Sequence, residues 1–485
     1  MTSLLLKGGR VVDPGSGRDE VTDLLLQDGQ VKAVGPGLVG DTVLDVTGLV
    51  VGPGFIDLHS HVHTIAGQRL QAFDGVTTAL DLEAGLLPVS KAYADAATQG
   101  RPLHYGFSAS WGGARGKVLA GVDEDASIVK GLEILGNEAW QRSSTPAQLD
   151  AWLAILRAEL ADGALGIGVL MGYAPRTDPR ELRAVALLAA EAGVATYTHV
   201  RELVEADPTT PIDGSLEIAQ LAAETGAHMH HCHVNSTSRR HVDRVLGTLA
   251  AAQAEGSRVT VEAYPYGAGS TGIGAFFLAP ERLPAWGLVP SNLVVVPTGE
   301  RVADEARLRH LRATEPGTPV IVEFLDERVE ADALLLRRAL AFPDAIVASD
   351  AMPVFFPDGS MDSRQWPLPP GGSTHPRTAG TFAKSLRLMR DDWSLSEGFR
   401  RCSWLPAQVL SFVPAARRKG HLGVGADADV VVLDPLAVTD TATYTDPTRP
   451  SSGVRHLLVS GEAVIRDGAL VVDAYPGKPL RAEPR

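Results

Sequence analysis

Two histidines separated by one residue, His59 and His61, directly follow the mainly apolar run at residues 54–58. This run is typical of a short buried strand, and alternate side chains of a strand point to the same face. The two imidazoles therefore lie side by side where the strand ends. Because neutral imidazole is a common Zn²⁺ ligand, the pair supplies half of a metal site. For an isolated His-x-His, a hydrogen-bonded pair would be the better explanation. The choice between that pair and a metal site therefore depends on the rest of the chain.

More residues of metal-binding types stand where other predicted strands end. Glu83, His199 and Asp350 each follow an apolar run, and residues 230–233 (HHCH) end another. Each of the three taken singly is more often a helix cap or a loop residue. Together with the first pair they form a mixed nitrogen and oxygen donor set suited to one or two Zn²⁺ ions. His231 and His233 lie on the same face of their strand, so spacing leaves both open as ligands.

Between residues 51 and 415, eight short apolar runs alternate with alanine- and leucine-rich amphipathic segments. This alternation predicts an α/β fold, a (β/α)8 TIM-like barrel with its chemistry at the carboxyl ends of the strands. The segment at about 264–342 exceeds one crossover helix, which predicts an insertion. Residues 1–50 and 416–485 are typical of short strands separated by turns. We expect these two ends to form one small discontinuous β-sandwich domain.

The composition limits the classes of function. A chain of 485 residues suits a large barrel with an appended domain. Its formal charge of −14 argues against nucleic-acid binding, because phosphate contacts require a basic surface. Two cysteines indicate no disulfide framework, and no apolar run approaches the ~18 residues of a membrane span. We therefore expect a cytoplasmic protein that acts on a small molecule, without a nucleic-acid or membrane partner, and compatible with a homo-oligomer.

The donor set indicates metal-assisted hydrolysis. A bound metal ion lowers the pKa of water and polarises a carbonyl oxygen. A carboxylate that touches the water can accept its proton and pass it to a leaving amine. Asp350 is the candidate for this catalytic role.

Two tyrosines and two arginines are candidates for substrate binding. The hydroxyl groups of Tyr173 and Tyr266 could donate to a developing oxyanion. Arg201 and Arg377 offer the planar fork that binds a carboxylate through two hydrogen bonds. For Arg201 an ion pair with a nearby glutamate is an equally good explanation, and for Tyr266 so is packing at the barrel rim.

The chain resembles the amidohydrolase superfamily of metal-dependent hydrolases over nearly its whole length. The markers are residues 53–61 (PGFIDLHSH), 75–78 (GVTT) and 425–431 (GADADVV). Further motifs are similar to those of the N-acyl-D-amino-acid deacylase, or D-aminoacylase, branch. They are residues 163–166 (GALG), 173–175 (YAP), 198–201 (THVR), 264–266 (YPY), 375–382 (HPRTAGTF) and 442–447 (ATYTDP).

This resemblance implies a division of the metal ligands. His59 and His61 would hold one metal, His199 and His233 the other, and Asp350 would be the catalytic base and a ligand. His233 is preferred to His231 because residues 232–235 (CHVN) stand where the family has Ser-His-x-Lys.

Two departures from the family pattern bear on the metal and the substrate. The branch has a metal-binding cysteine within Asn-Cys-Gly after the second strand, where this chain has Glu83-Ala84-Gly85. Other amidohydrolases use a carboxylated lysine on the fourth strand, but residues 164–171 contain no lysine. Glu83 is therefore expected to bridge the metals, and its oxygens also suit Mn²⁺ or Fe²⁺. Asn235 replaces a lysine that would hold the substrate carboxylate, so that charge would have to come from Arg201 or Arg377.

The leading hypothesis is a zinc-dependent amidohydrolase that cleaves the amide bond of an N-acyl-D-amino acid or a close relative. The first alternative is a cyclic amidase of the hydantoinase or dihydroorotase type, and the missing lysine on strand four counts against it. The second alternative is a barrel that binds metal without catalysis. The presence of Asp350 beside a complete ligand set counts against this alternative.

Overall fold

The computed structural model describes residues 3–123 and 125–483. These residues contain twenty strands and fourteen α-helices. The strands are β1 (Ser3–Asp13), β2 (Arg18–Gln27), β3 (Gln30–Gly35), β4 (Thr42–Asp45), β5 (Val50–Pro53), β6 (Phe55–Asp57), β7 (Val76–Leu86), β8 (His104–Ser110), β9 (Ile167–Leu170), β10 (Ala195–His199), β11 (His228–His231), β12 (Val259–Ala263), β13 (Ala268–Gly272), β14 (Leu293–Val295), β15 (Pro319–Glu323), β16 (Ile346–Val347), β17 (Val430–Leu433), β18 (Val454–Val459), β19 (Glu462–Arg466) and β20 (Ala469–Leu470). The helices are α1 (Ile65–Phe73), α2 (Val89–Gln99), α3 (Trp111–Arg115), α4 (Ile128–Ile134), α5 (Pro146–Ala161), α6 (Pro179–Ala192), α7 (Gly214–Thr225), α8 (Val234–Ser238), α9 (Val242–Ala254), α10 (Glu305–Thr314), α11 (Glu330–Ala341), α12 (Arg377–Leu388), α13 (Leu395–Phe399) and α14 (Leu405–Val409).

The eight strands predicted for the barrel form one sheet in the order β16-β12-β11-β10-β9-β8-β7-β6. Beyond the ends of the two outermost strands, Ser60 pairs in parallel with Ala351. The His61 N–H also donates to the Ala351 carbonyl at 2.9 Å. Helices follow most of the strands, as the alternation of apolar runs and amphipathic segments requires. The predicted βα-barrel arrangement is confirmed.

Strands from both ends of the chain form a second sheet of nine strands. Its order is β20-β19-β18-β17-β5-β1-β2-β3, and β4 pairs with β1. The central ladder joins β5 to β17, with Val50 opposite Leu433 and Pro53 opposite Val430. Its buried face is filled by valine and leucine side chains, among them Val51 and Val432. The prediction of one discontinuous β domain built from both termini is confirmed.

Packing of the backbone divides the chain into two compact units. The first contains the nine-stranded sheet together with Ala96–Gly106 and Ile346–Leu480, and it includes β6, α1 and the start of β7. The second contains Asp81–Asp95 and Phe107–Ala345. Within the second unit, β13, β15 and β14 form an antiparallel sheet inside the predicted insertion. The predicted limits of the insertion and of the terminal domain stay predictions.

A buried charge cluster in the first unit centres on Asp429. This side chain lies 3.0 Å from His104 Nε2 and 2.5 Å from Lys419 Nζ, and it accepts the Ser460 N–H at 2.8 Å. Burial acts to raise the pKa of Asp429, but attraction to His104 and Lys419 outweighs it and holds that pKa below its usual range. A lowered carboxyl pKa stabilises the fold above the unfolded value of about 3.9, and this stability is lost as the pH falls further.

We expect Asp429→Asn to lower the melting temperature at pH 7. The substitution leaves the buried Lys419 without its closest partner. This should lower the free energy of unfolding by about 3 kcal/mol. The difference in melting temperature between the variant and wild type should narrow below about pH 4, where the Asp429 carboxyl is protonated in the unfolded chain but still charged in the folded protein. Thermal melts at pH 7 and pH 3.5 measure both effects. Asp467→Asn, at a side chain that is 73% exposed in the same unit, is the matched control and should change little.

Among the described residues, no helix combines the length and the apolar character needed to cross a membrane.

Candidate metal centre

His59 and His61 lie just beyond β6, and their Nε2 atoms are 3.2 Å apart. Each of these nitrogens is 3.5 Å from Oδ1 of Asp350. All three side chains are buried. Ligand atoms at 2.0–2.1 Å from a tetrahedral Zn²⁺ ion lie roughly 3.3 Å from one another. The spacing of these atoms in the first unit therefore fits a metal ion, with two imidazoles and a carboxylate as ligands.

Asp350 follows β16 and has a φ of 51°, a left-handed conformation that favours glycine. Its Oδ1 accepts a hydrogen bond from Nη2 of the fully buried Arg377 at 2.8 Å. Arg377 begins α12, and its backbone N–H donates to His375 Nδ1 at 3.0 Å. The structure thus places Arg377, a predicted substrate residue, on the predicted catalytic carboxylate.

Asp57, which the sequence analysis left unassigned, links the segments that carry His59 and Asp350. It is fully buried in β6, where Oδ1 accepts the Ser349 N–H at 3.0 Å and the His59 N–H at 3.2 Å. Its Oδ2 accepts from the Ser349 hydroxyl and from Gln71 Nε2. Burial raises the pKa of Asp57 to about 6 against these hydrogen bonds. Asp57 thereby links the backbone at His59 to the backbone at Ser349, next to Asp350. The sequence feature that could have identified Asp57 is a carboxylate two residues before a His-x-His pair.

The second unit contains a matching donor group at Glu83. Oε1 of Glu83 lies 3.1 Å from His199 Nδ1 and 2.9 Å from His233 Nε2. The ligand atoms of the three residues all lie within 4.8 Å of one another, and all three side chains are buried. Glu83 is near the end of β7, His199 ends β10, and His233 follows β11. We call these three residues the Glu83 cluster, and its donor types suit a divalent metal ion.

The geometry distinguishes His233 from His231. His231 Nε2 lies 3.1 Å from the Ser215 hydroxyl, and its Nδ1 lies 3.0 Å from the Cys232 carbonyl oxygen. Burial lowers the pKa of His231 to about 3, so this imidazole is neutral. Both of its nitrogens are therefore engaged away from Glu83, and His233 is the histidine that reaches that carboxylate.

A second buried glutamate, Glu262 near the end of β12, holds this part of the site in place. Its Oε1 accepts the backbone N–H of His233 at 3.2 Å, and its Oε2 lies 3.0 Å from His230 Nε2. His233 has a φ of 35°, so its conformation depends on such external contacts. Glu262 was also missed, although it ends a predicted strand like the proposed ligands.

Aromatic side chains cover the His199 ring. Tyr173 lies with its ring centroid 4.6 Å from that of His199, and Phe277 stacks on His199 at 5.9 Å. The Tyr173 hydroxyl lies 2.9 Å from Thr271 Oγ1. A Cβ atom on Gly172 would lie 2.4 Å from His199 Cδ2, so glycine is required there. The predicted substrate residue Tyr173 is thus beside a predicted metal ligand.

Tyr266 is buried in the second unit in a cluster that includes Tyr264 and Phe324. Its carbonyl oxygen accepts from Asn235 Nδ2 at 3.4 Å. The predicted substrate role of its hydroxyl stays a prediction.

Arg201, a predicted substrate residue, lies in a buried ion pair. Its guanidinium forms a bidentate ion pair with Glu217, with Nε 2.9 Å from Oε2 and Nη2 3.0 Å from Oε1. It also donates to the carbonyl oxygens of Pro175 and Thr177. Both charged side chains are buried. The structure thus shows an ion pair, but the partner is Glu217 on α7 and not a glutamate adjacent in sequence, and the substrate role of Arg201 stays a prediction. Arg201 holds α7 and the segment before α6 in place.

We expect Arg201→Met to destabilise the protein by about 3–5 kcal/mol, because it leaves Glu217 charged and buried without its partner. The double variant Arg201→Met/Glu217→Leu should recover most of this loss. Urea or thermal unfolding measures both variants. Arg157→Met, which breaks an exposed pair with Glu191, is the control and should have little effect. A double variant no more stable than the single one would contradict the assignment.

The model of the amidohydrolase family matches residues 42–465. The chain belongs to this family. Membership of the amidohydrolases makes the protein a hydrolase that acts on carbon–nitrogen bonds, and this agrees with the two donor groups at the carboxyl ends of its barrel strands.

Full-length relatives of this amidohydrolase include D-aminoacylase from Alcaligenes xylosoxydans xylosoxydans. The two sequences are 27% identical over 490 residues, which cover 96% of this chain and 95% of the relative. Among solved structures, N-acyl-D-glutamate deacylase from Bordetella bronchiseptica, complexed with zinc and a phosphonate inhibitor, aligns with a TM-score of 0.76 at 24% identity. That alignment covers 99% of this chain and 100% of the other.

The cyclic amidases are more distant in fold. A D-hydantoinase from Thermus sp. aligns with a TM-score of 0.61 at 20% identity, with 99% of each chain covered. The predicted resemblance to the D-aminoacylase branch is therefore confirmed, and the hydantoinase type remains the weaker match.

Proposed function

We propose that this amidohydrolase removes the acyl group from N-acyl-D-amino acids with the help of one or two bound zinc ions. The observation that carries the proposal is the convergence of imidazole nitrogens on a carboxylate oxygen in both units, at His59, His61 and Asp350 and in the Glu83 cluster. The full-length similarity to D-aminoacylase supports the choice of substrate class.

In this proposal, His59 and His61 would hold one metal, and His199, His233 and Glu83 would hold the other. Glu83 directs Oε1 toward both histidines of its cluster. A bound zinc ion supplies Lewis acidity, lowering the pKa of water and polarising the amide carbonyl. Carboxylate and imidazole ligands also accept Mn²⁺ or Fe²⁺, so metal analysis of the purified protein is part of the test.

Asp350 carries the proton in this mechanism. Its carboxylate accepts a proton from the attacking water and delivers it to the leaving nitrogen. Arg377 donates to Oδ1 at 2.8 Å and so fixes the orientation of the carboxylate. This contact favours a positioning role for Arg377 over direct binding of substrate. Tyr173, whose ring lies 4.6 Å from that of His199, would donate from its hydroxyl to the carbonyl oxygen as negative charge develops.

A screen of N-acetyl and N-formyl derivatives of D- and L-amino acids with metal-reconstituted protein tests the proposal. We expect hydrolysis of the D-substrates only. Activity confined to L-substrates would contradict the stereochemical assignment. Activity confined to cyclic imides would favour the hydantoinase type, and no hydrolysis by a metal-loaded protein would favour a metal-binding barrel. A cytoplasmic location also belongs to the proposal, supported by the two cysteines, neither of which forms a disulfide bond within the described residues.

A further inference from the structure

A cavity of about 500 Å³ in the second unit takes no part in the proposed mechanism. Its volume lies within the usual range for sites that bind small molecules. Three arginines and one glutamate are among the described residues that line it, namely Arg142, Arg176, Arg312 and Glu138. Positive charge thus exceeds negative charge along its wall, which favours an anionic ligand. We call this cavity the arginine cavity.

Arg312, near the end of α10, is fixed against one wall of the arginine cavity. Its Nη1 donates to the carbonyl oxygens of Ile273 and Ala275 at 2.6 and 2.7 Å. These two residues flank Gly274, which lines the cavity. Within residues 3–123 and 125–483, the other guanidinium nitrogens of Arg312 make no hydrogen bond, and no carboxylate pairs with them. Their N–H groups are therefore available to a ligand.

Arg176 lies beside an aromatic ring of the same cavity. Its guanidinium carbon is 5.1 Å from the ring centroid of Phe276, and such a contact holds a cation without neutralising its charge. In the described part of the chain, Arg176 forms no ion pair. Arg142 Nη2 lies 3.8 Å from Glu138, but both side chains are largely exposed, so this pair is weak. The arginines of the cavity therefore keep most of their capacity to bind an anion.

Two residues that line the arginine cavity, Gln141 and Phe276, also belong to segments that contact the proposed metal ligand His199. Gln141 Nε2 donates to the Tyr173 carbonyl at 2.6 Å, and the Tyr173 ring lies beside that of His199. Phe276 is followed directly by Phe277, which stacks on His199. A ligand that moves either segment therefore changes the surroundings of His199.

We propose that the arginine cavity is an effector site for a small organic anion, in which a carboxylate or phosphate group is attached to an apolar group. Arg312 and Arg176 bind the oxyanion, since a guanidinium donates two hydrogen bonds to such a group. Leu135 and Phe276, which also line the cavity, pack against the apolar group. Occupancy changes the reaction at the metal centre through the segments that contact His199. This role goes beyond the proposed deacylase function, and binding of the anion is measured independently of that function.

Calorimetric titration of the zinc-loaded protein with benzoate, phenyl phosphate and the neutral benzamide, at constant ionic strength, tests for the site. We expect both anions to bind and benzamide not to bind. The ratio of the two dissociation constants shows whether the cavity prefers a carboxylate or a phosphate group.

Variants of Arg176 locate the bound anion. Arg176→Gln should raise both dissociation constants about 10-fold or more, because it removes charge-assisted hydrogen bonds. Arg176→Lys keeps the charge without the planar fork and should lie between Arg176→Gln and wild type. The control Arg183→Gln removes an exposed arginine of the same unit and should match wild type.

Binding of the anion at the metal centre would give a different pattern. An anion bound to zinc is lost when the metal is removed, and its binding survives Arg176→Gln. That pattern would overturn the proposal, and so would binding of benzamide as tightly as the anions. Arg142→Gln is a second exposed variant of the cavity, and unchanged binding in both variants would also refute the site.

The effector role is measured by the hydrolysis of an N-acetyl-D-amino acid with and without saturating benzoate. We expect the anion to change the KM of wild type by about 5-fold or more, and this change to disappear in Arg176→Gln. An effect that persists in Arg176→Gln, or no effect at saturating benzoate, would refute the effector role. If no N-acyl amino acid is hydrolysed, the deacylase function fails, while the titrations still decide whether the cavity binds an anion.

Discussion

Asp350→Asn should lower kcat for the N-acyl-D-amino acid substrate by about 10²- to 10⁴-fold, the usual contribution of a general acid or base. The amide keeps the shape of the side chain and one oxygen toward His59 and His61, but it cannot accept a proton at neutral pH. We therefore expect KM and the metal content to stay near the wild-type values. Initial rates and metal analysis of the same preparation measure the two effects separately.

The control for this variant is Asp358→Asn, which changes a surface carboxylate a few residues further along the chain and should leave kcat unchanged. A kcat for Asp350→Asn within a few-fold of wild type would remove Asp350 from the proton transfer. Loss of metal together with loss of activity would instead make Asp350 chiefly a ligand, held in place by Arg377.

Glu83→Ala should have the second large effect, because one oxygen of Glu83 contacts both His199 and His233. Without it the two imidazoles lose the carboxylate that completes their donor set. We expect the metal-to-protein ratio to fall and kcat/KM to drop by at least about 100-fold, more than the loss of an indirect contact to a metal ligand costs. Metal analysis after dialysis and steady-state kinetics measure these changes.

Glu83→Cys is the informative companion to the alanine variant. A thiolate prefers Zn²⁺ to Mn²⁺, so this variant should recover activity with zinc but not with manganese. Glu191→Gln, at an exposed position of α6, serves as the control. An alanine variant with unchanged metal content and rate would show that Glu83 is not a ligand.

The positions of the proposed ligands were predictable because they depend on local pattern and on one general rule. Alternation placed His59 and His61 on one face, and the carboxyl ends of parallel strands collect side chains from distant parts of a chain. The pattern of strand and helix between residues 51 and 415 was sufficient to predict the barrel. The likeness of the two termini as runs of short strands was sufficient to predict their shared sheet.

Other contacts depend on packing between segments that no local pattern relates. The partner of Arg201 proved to be Glu217, because α7 brings that carboxylate over the guanidinium. The left-handed backbone at His233 is held by a hydrogen bond from its N–H to Glu262 on β12. Spacing alone left His231 and His233 equivalent, and only the positions of Ser215 and Glu83 separated them.

The continuity of β5 and β6 also constrains when the site can form. A single residue, Gly54, separates these strands, and its N–H donates to the Asp429 carbonyl at 2.9 Å. On a growing polypeptide, the backbone that leads to His59 therefore lacks this hydrogen-bond partner until residue 429 has been made. Contacts between residues so far apart in the sequence form late in folding. Metal uptake at His59 and His61 is thus expected to follow synthesis of the segment around Asp429, so that shorter nascent chains have little opportunity to bind an ion in an incomplete site.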